Sequence, residues 1–228
     1  VGWFWKESSA TGFDVVEFTH AGTAGSTVGY SLGGYPADMI FVKRTDYNGN
    51  WYVYHKGLTD PAETYTVVLN TDDPEEDIGA WEDSGYNPTA PGNTSFTVGW
   101  VSAGDYIAYC FRSIEGFSKA GKYVGNGDAD GPFVYTGFTP AWVMVKSAEA
   151  DENWNVYDNK RSANSGNPRE YGLWPNDYDG ENDTSSSYKD FVSNGFKVRG
   201  NNGEQNTSGD TYIYYAIAEQ DFKYGVAK

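Results

Sequence analysis

Apolar and polar residues alternate in short runs along the whole chain, and no stretch repeats every three or four positions as a helix would. Across residues 50–54, Trp51 and Val53 fall on one side of an extended backbone, with Tyr52 and Tyr54 on the other. Residues 13–18, 39–43, 65–69, 95–98 and 106–111 are similar β-branched or aromatic runs, separated by Gly, Asn, Asp and Pro. The run Trp142-Val143-Met144-Val145 is apolar on both sides and predicts a central strand covered on each face. Gly125-Asn126-Gly127-Asp128 offers the positive-φ residues of a tight hairpin. Together these patterns predict an all-β chain of antiparallel, jelly-roll-like β-sandwich units.

The pattern occurs twice. Pro36-Ala37-Asp38-Met39-Ile40-Phe41-Val42-Lys43, then Asn50-Trp51-Tyr52-Val53-Tyr54, matches Pro140-Ala141-Trp142-Val143-Met144-Val145-Lys146, then Asn153-Trp154-Asn155-Val156-Tyr157. Lys43 and Lys146 share with Trp51 and Trp154 one offset of 103 residues. Phe96-Thr97-Val98 likewise matches Phe196-Lys197-Val198, and residues 104–109 match 209–215 with one inserted Thr. This predicts a tandem duplication, with sandwich units at 13–116 and 117–228. Part of a third copy precedes them. Trp3-Phe4-Trp5-Lys6-Glu7, leading to Gly12-Phe13, has the layout of Tyr109-Cys110-Phe111-Arg112-Ser113, leading to Gly116-Phe117. The end of the second unit, Tyr212-Ile213-Tyr214-Tyr215, is of the same kind. Residues 1–12 are therefore expected to act as a junction or assembly strand.

Composition agrees with strands: Leu occurs four times, whereas there are 19 Tyr, 8 Trp, 12 Phe and 28 Gly. With 32 acidic against 16 basic residues the formal charge is −16, which argues against nucleic acid and against anionic lipid. Residues 212–218 form the longest strongly apolar stretch, far short of the roughly 20 residues that span a bilayer. No basic-then-apolar leader opens the sequence. The lone Cys110 lies in an apolar run and reads as a buried structural thiol.

Little points to catalysis, and no enzyme is expected. His20 and His55 lie beside turn residues and read as solvated, with no nucleophile elbow near either in sequence. A chance pair of carboxylates among 32 acids means little. Asp72 to Asp83 holds seven carboxylates without a base and reads as a solvated loop. Asp177, Asp179 and Asp183, around Gly180, resemble half of a calcium loop but lack its closing Glu, so calcium is a weak expectation and no other cofactor is expected. Tyr47, Tyr86, Tyr178 and Tyr188 stand in polar surroundings and are the candidates for stacking on a sugar. Trp51 and Trp154, repeating in register, read as core. Asn93, Asn182 and Asn206 head acceptor sequons in predicted loops.

Glu115-Gly116-Phe117-Ser118-Lys119-Ala120-Gly121-Lys122-Tyr123 and the stretch from Gly131-Pro132-Phe133-Val134-Tyr135 to Lys146 resemble a β-rich family encoded mainly by bacteriophages of aquatic bacteria. Members occur among tail-fibre-like and virion proteins. Phe191-Val192-Ser193-Asn194-Gly195-Phe196-Lys197, Gly209-Asp210-Thr211-Tyr212-Ile213-Tyr214 and Trp5-Lys6-Glu7-Ser8 fit it too. The resemblance spans almost the whole chain and implies an extracellular or virion-surface location; it transfers no catalytic or ligand residue. The acid run at residues 72–77 is unusual for the pattern.

Two functions are expected. In the first, the chain is a structural subunit that joins itself head to tail into a helical fibre, using Trp3, Phe4, Trp5, Tyr212, Ile213, Tyr214 and Tyr215. In the second, it is a tail-fibre module that binds a receptor or a cell-surface glycan. A polysaccharide depolymerase ranks below both.

Overall fold

Each strand forms where alternating side chains can bury one face. In the computed structural model, which describes residues 4–23, 25–78, 89–99, 102–161, 166–183 and 187–219, the chain folds as two units of antiparallel sheet. Its first half supplies β1 (Phe13–His20), β2 (Ser26–Gly29), β3 (Met39–Arg44), β4 (Trp51–His55), β5 (Tyr65–Val68), β6 (Glu76–Asp77), β7 (Ser95–Val98) and β8 (Gly104–Phe111). The main sheet runs β1-β8-β3-β4-β5-β6, and β2 pairs with β7. Val28 and Tyr30 from one side of the sandwich, with Phe96 and Val98, pack on Ile40, Val42, Tyr106, Ala108 and Cys110 from the other.

The second half supplies β9 (Ser118–Val124), β10 (Phe133–Tyr135), β11 (Pro140–Ser147), β12 (Asn155–Asp158), β13 (Tyr171–Gly172), β14 (Asn182–Asp183), β15 (Tyr188–Val192), β16 (Gly195–Arg199), the one-turn helix α1 (Gly203–Asn206) and β17 (Thr211–Ala218). Here the sheets run β12-β11-β17-β9, β10-β16-β15 and β13-β14. The first unit's β1-β8-β3-β4 and the second's β9-β17-β11-β12 have one order when taken along the chain. Register agrees as well: Lys43 lies opposite Ile107, and Lys146 opposite Ile213. Core positions correspond, with Tyr212, Tyr214 and Ala216 standing where Tyr106, Ala108 and Cys110 stand. β11 lies between β12 and β17 with Val143, Met144 and Val145 buried, the central strand that its apolar run predicts. Cys110 is wholly buried, and burial pushes its thiol well above the usual range.

Four details differ from the sequence pattern. Residues 4–7 form no strand; the Ser8 amide and carbonyl bond the backbone of Phe13 before β1, and the Lys6 carbonyl accepts from the Thr11 hydroxyl. Ile114 and Ser118 make a similar bridge, one residue shorter, before β9, so Phe13 stands where Ser118 stands, one place off the Gly-Phe match. The unit boundary falls at Ile114, and Thr71–Pro74 packs with the second unit although it comes from the first half. Residues 125–128 do not make a hairpin: β9 and β10 belong to different sheets, and the loop carries the chain from one to the other. Gly125 is needed there because a Cβ would run into the Thr207 carbonyl oxygen.

Candidate functional site

In the second unit, Val143 and Val145 point into the core, so strand alternation turns Lys146 to the opposite face of β11. There it is completely buried. Its Nζ donates to three carbonyls: Ser147 (2.9 Å), Asp72 (3.1 Å) and Ala150 (3.3 Å). The Glu152 amide donates to the same Asp72 carbonyl at 2.9 Å. One ammonium thus spends all three protons on backbone and fastens Thr71–Pro74 to the loop after β11. Burial lowers the Lys146 pKa to about 8, against the attraction of Asp72, Glu152, Asp151 and Asp73. Asp72, read as part of a solvated loop, is therefore an anchor. Farther along that run, Glu75 accepts from the Thr59 amide at 3.0 Å and β6 pairs with β5, so the described part of the acid run is structured.

An asparagine holds the start of this segment. Asn70 Oδ1 accepts the Trp51 amide at 2.7 Å, and Asn70 Nδ2 donates to Asn50 at 3.0 Å. Asn176 repeats the clasp, accepting from the Trp154 amide at 2.9 Å and donating to Asn153 at 2.6 Å. Trp154 is core as its repeat suggests, whereas Trp51 is only half-buried.

A cleft of about 500 Å³ is lined by Ala129, Pro168, Tyr188, Asp190, Arg199, Gly200 and Asn201. Arg199 joins Asp190 at 2.7 Å and Asp130 at 2.6 Å. Tyr188 is half-buried at its wall. Tyr178 is 98% exposed and Tyr47 is 68% exposed, the latter under the Arg44 guanidinium at 5.3 Å. Tyr86 and Trp3 lie outside the described residues. The sequence reading missed three exposed rings, Tyr35, Phe133 and Tyr135. Phe133 and Tyr135 could have been found, since they flank the inward Val134 in strict alternation.

Other candidates are placed differently. Tyr212, Ile213, Tyr214 and Tyr215 are buried in β17, which pairs with β9 and β11, so they offer no free edge. Phe4 is 95% exposed and Trp5 38%. His20 and His55 are buried rather than solvated: each ring folds into its turn, where Nδ1 accepts the amide of Gly22 (3.0 Å) or Gly57 (2.9 Å). Asn206 is wholly buried in α1, donating to the Asp128 and Gly200 carbonyls and accepting the Asn126 amide, which closes it to glycosylation in the folded chain. Asn93 is exposed. The side chains of Asn182 and Asp183 lie outside the described set. One oxygen of Asp177, Oδ1, accepts the amides of Tyr178 (2.6 Å) and Asp179 (3.3 Å). No group of three or more His, Cys, Asp or Glu poised to hold a metal occurs among the described residues. No helix among them is long and apolar enough to cross a membrane.

The described residues thus form an all-β protein of antiparallel sheets. The chain belongs to the family described as Domain of unknown function (DUF7483), which it matches over residues 5–221. No curated protein and no solved structure matches it.

Proposed function

We propose that this chain is a non-enzymatic structural subunit that joins head to tail with copies of itself into an extracellular or virion fibre. One observation carries the reading. Matched at the first residue of the bridge, Ser8 with Ile114, Phe4 and Trp5 occupy the sequence positions of Cys110 and Phe111. Those two residues lie in β8, paired on both sides. Residues 4–7, by contrast, belong to no strand, and Phe4 is exposed. A segment with strand composition that pairs in no strand among the described residues suits a strand added from, or to, another copy. Duplication supports the reading, since a repeated unit continues its own contacts from copy to copy without a new surface. The resemblance to tail-fibre-like and virion proteins points the same way. Sedimentation of the intact chain and of a chain lacking residues 1–7 tests it; the cut spares the Ser8–Phe13 bridge.

The cleft beside Tyr188 favours a second reading, a glycan-binding module, because a ring and a charged, hydrogen-bonding wall are what sugars use. Glycan-array binding by the intact protein, lost on Tyr188→Ala, is the expected outcome under that reading. A silent array removes it.

A further inference from the structure

The two asparagine clasps are alike, but the segments after them differ. Beyond Asn70 the chain continues as Thr71-Asp72-Asp73-Pro74, which is fastened to Lys146 and Glu152. Beyond Asn176 it continues as Asp177-Tyr178-Asp179-Gly180, and there the Tyr178 side chain is 98% exposed. Tyr178 stands in the position of Asp72.

The receiving hairpin is also duplicated. Seven residues separate Lys146 from Trp154, and seven separate Lys43 from Trp51, so Gly49 stands where Glu152 does. Lys146 uses three acceptors, one of them brought in by the Asp72 segment. Among the described residues, half-buried Lys43 donates to one group, the Gly49 carbonyl at 2.6 Å. The exposed Gly49 amide, counterpart of the amide that grips Asp72, has no acceptor among the described residues. One copy of the pattern therefore has both halves of a lock engaged. The second has a key in one unit and an open lock in the other.

We propose that residues 177–180 of one copy dock on the β3–β4 hairpin of a second copy. The Tyr178 carbonyl then accepts from Lys43 Nζ and from the Gly49 amide. This rests on the head-to-tail reading above and names its contact. The charges fit: Asp177, Asp179 and Glu181 come to a hairpin whose Lys43 makes no ion pair among the described residues, while Arg44 holds Asp46 at 2.6 Å. Tyr178 and the exposed ring of Tyr47 are brought to the same contact, which accounts for two large aromatics in polar loops. Key and lock lie on different units, so each copy offers one of each. Such a contact is heterologous and propagates.

Cysteine pairing tests this. Asp72→Cys with Glu152→Cys in one chain is the positive control, because their backbones already touch and disulfide reach is about 4.4–6.8 Å between Cα atoms. Tyr178→Cys protein mixed with Gly49→Cys protein should give a mixed disulfide dimer, at a rate well above either variant alone. Gly49 tolerates the change, with nothing within 4 Å of its Cβ position. Cys110 is buried and does not compete. In a second arm, Lys43→Glu should weaken self-association about tenfold or more, since it removes a charge-assisted hydrogen bond and reverses a charge. Asp177→Lys with Asp179→Lys should restore part of that loss. Wild-type self-association with no preferred mixed disulfide and no effect of Lys43→Glu overturns this contact but leaves the fibre reading standing. A wild-type chain that stays monomeric overturns both.

Discussion

Lys189 shows how much the second unit invests in one side chain. It is completely buried, its Nζ donates to Gln205 Oε1, and it sits 4.0 Å from the centre of the Tyr157 ring. Burial lowers its pKa to about 7, with Glu204 opposing, whereas in an unfolded chain it titrates near 10.4. Between these values the unfolded state holds a proton that the folded state does not, so stability rises with pH. Lys146 adds the same sign above about 8. The melting temperature should therefore climb from pH 7 to 9, and Lys189→Met should flatten much of that climb. Above pH 10 the sign reverses, because burial keeps Tyr54 and Tyr123 protonated in the fold while unfolded tyrosines ionise. Parallel wild-type and Lys189→Met profiles across pH 7–9 would contradict this. Nothing in the sequence announces such a lysine: Lys189 stands between Tyr188 and Asp190, like any surface cation. His20, His55 and Asn206 mislead for a related reason. Turn residues surround each of them, yet short-range bonds to backbone amides or carbonyls draw the side chain inward.

At the level of elements, periodicity and repetition made most strands legible. The central β11, the alternating β8 and the paired β7 and β16 arise directly from the runs of Val, Ile and aromatic residues. What could not be read was the partner of each loop. Lys43 and Lys146 both end a Val-Lys pair at matched positions, but one is half-buried and the other sealed, because the cover over Lys146 comes from residue 72. The short pairings of β6 and β14 give no periodic signal, being two residues each. The Lys146 anchor predicts a local effect. Lys146→Met removes three hydrogen bonds from a charged donor, about 1.5–3 kcal/mol for each such bond if nothing replaces it. Amide exchange at Glu152 should quicken at least tenfold, while the amides of β17 keep their protection. Equal loss at both sites would mean that the anchor serves the whole unit rather than the 71–74 segment.

For the whole molecule, charge and the repeated sequence pattern point to the same polarity. Of the net −16, residues 1–116 carry 16 acidic and 5 basic groups, against 16 and 11 in residues 117–228. A head-to-tail joint puts the less negative half of one copy against the more negative half of the next, instead of opposing two strongly acidic faces. The exposed segment at residues 4–7 and the open hairpin at Lys43 both belong to the first half, and the exposed Tyr178 segment to the second, so the two kinds of surface lie on different units. Sedimentation velocity over a rising concentration series, with negative-stain images of the same samples, tests this most directly. The intact chain should form a growing series of oligomers and then filaments, and removal of residues 1–7 should hold it at small species. A single monomer boundary at every concentration, or filaments unchanged by the truncation, would contradict the account.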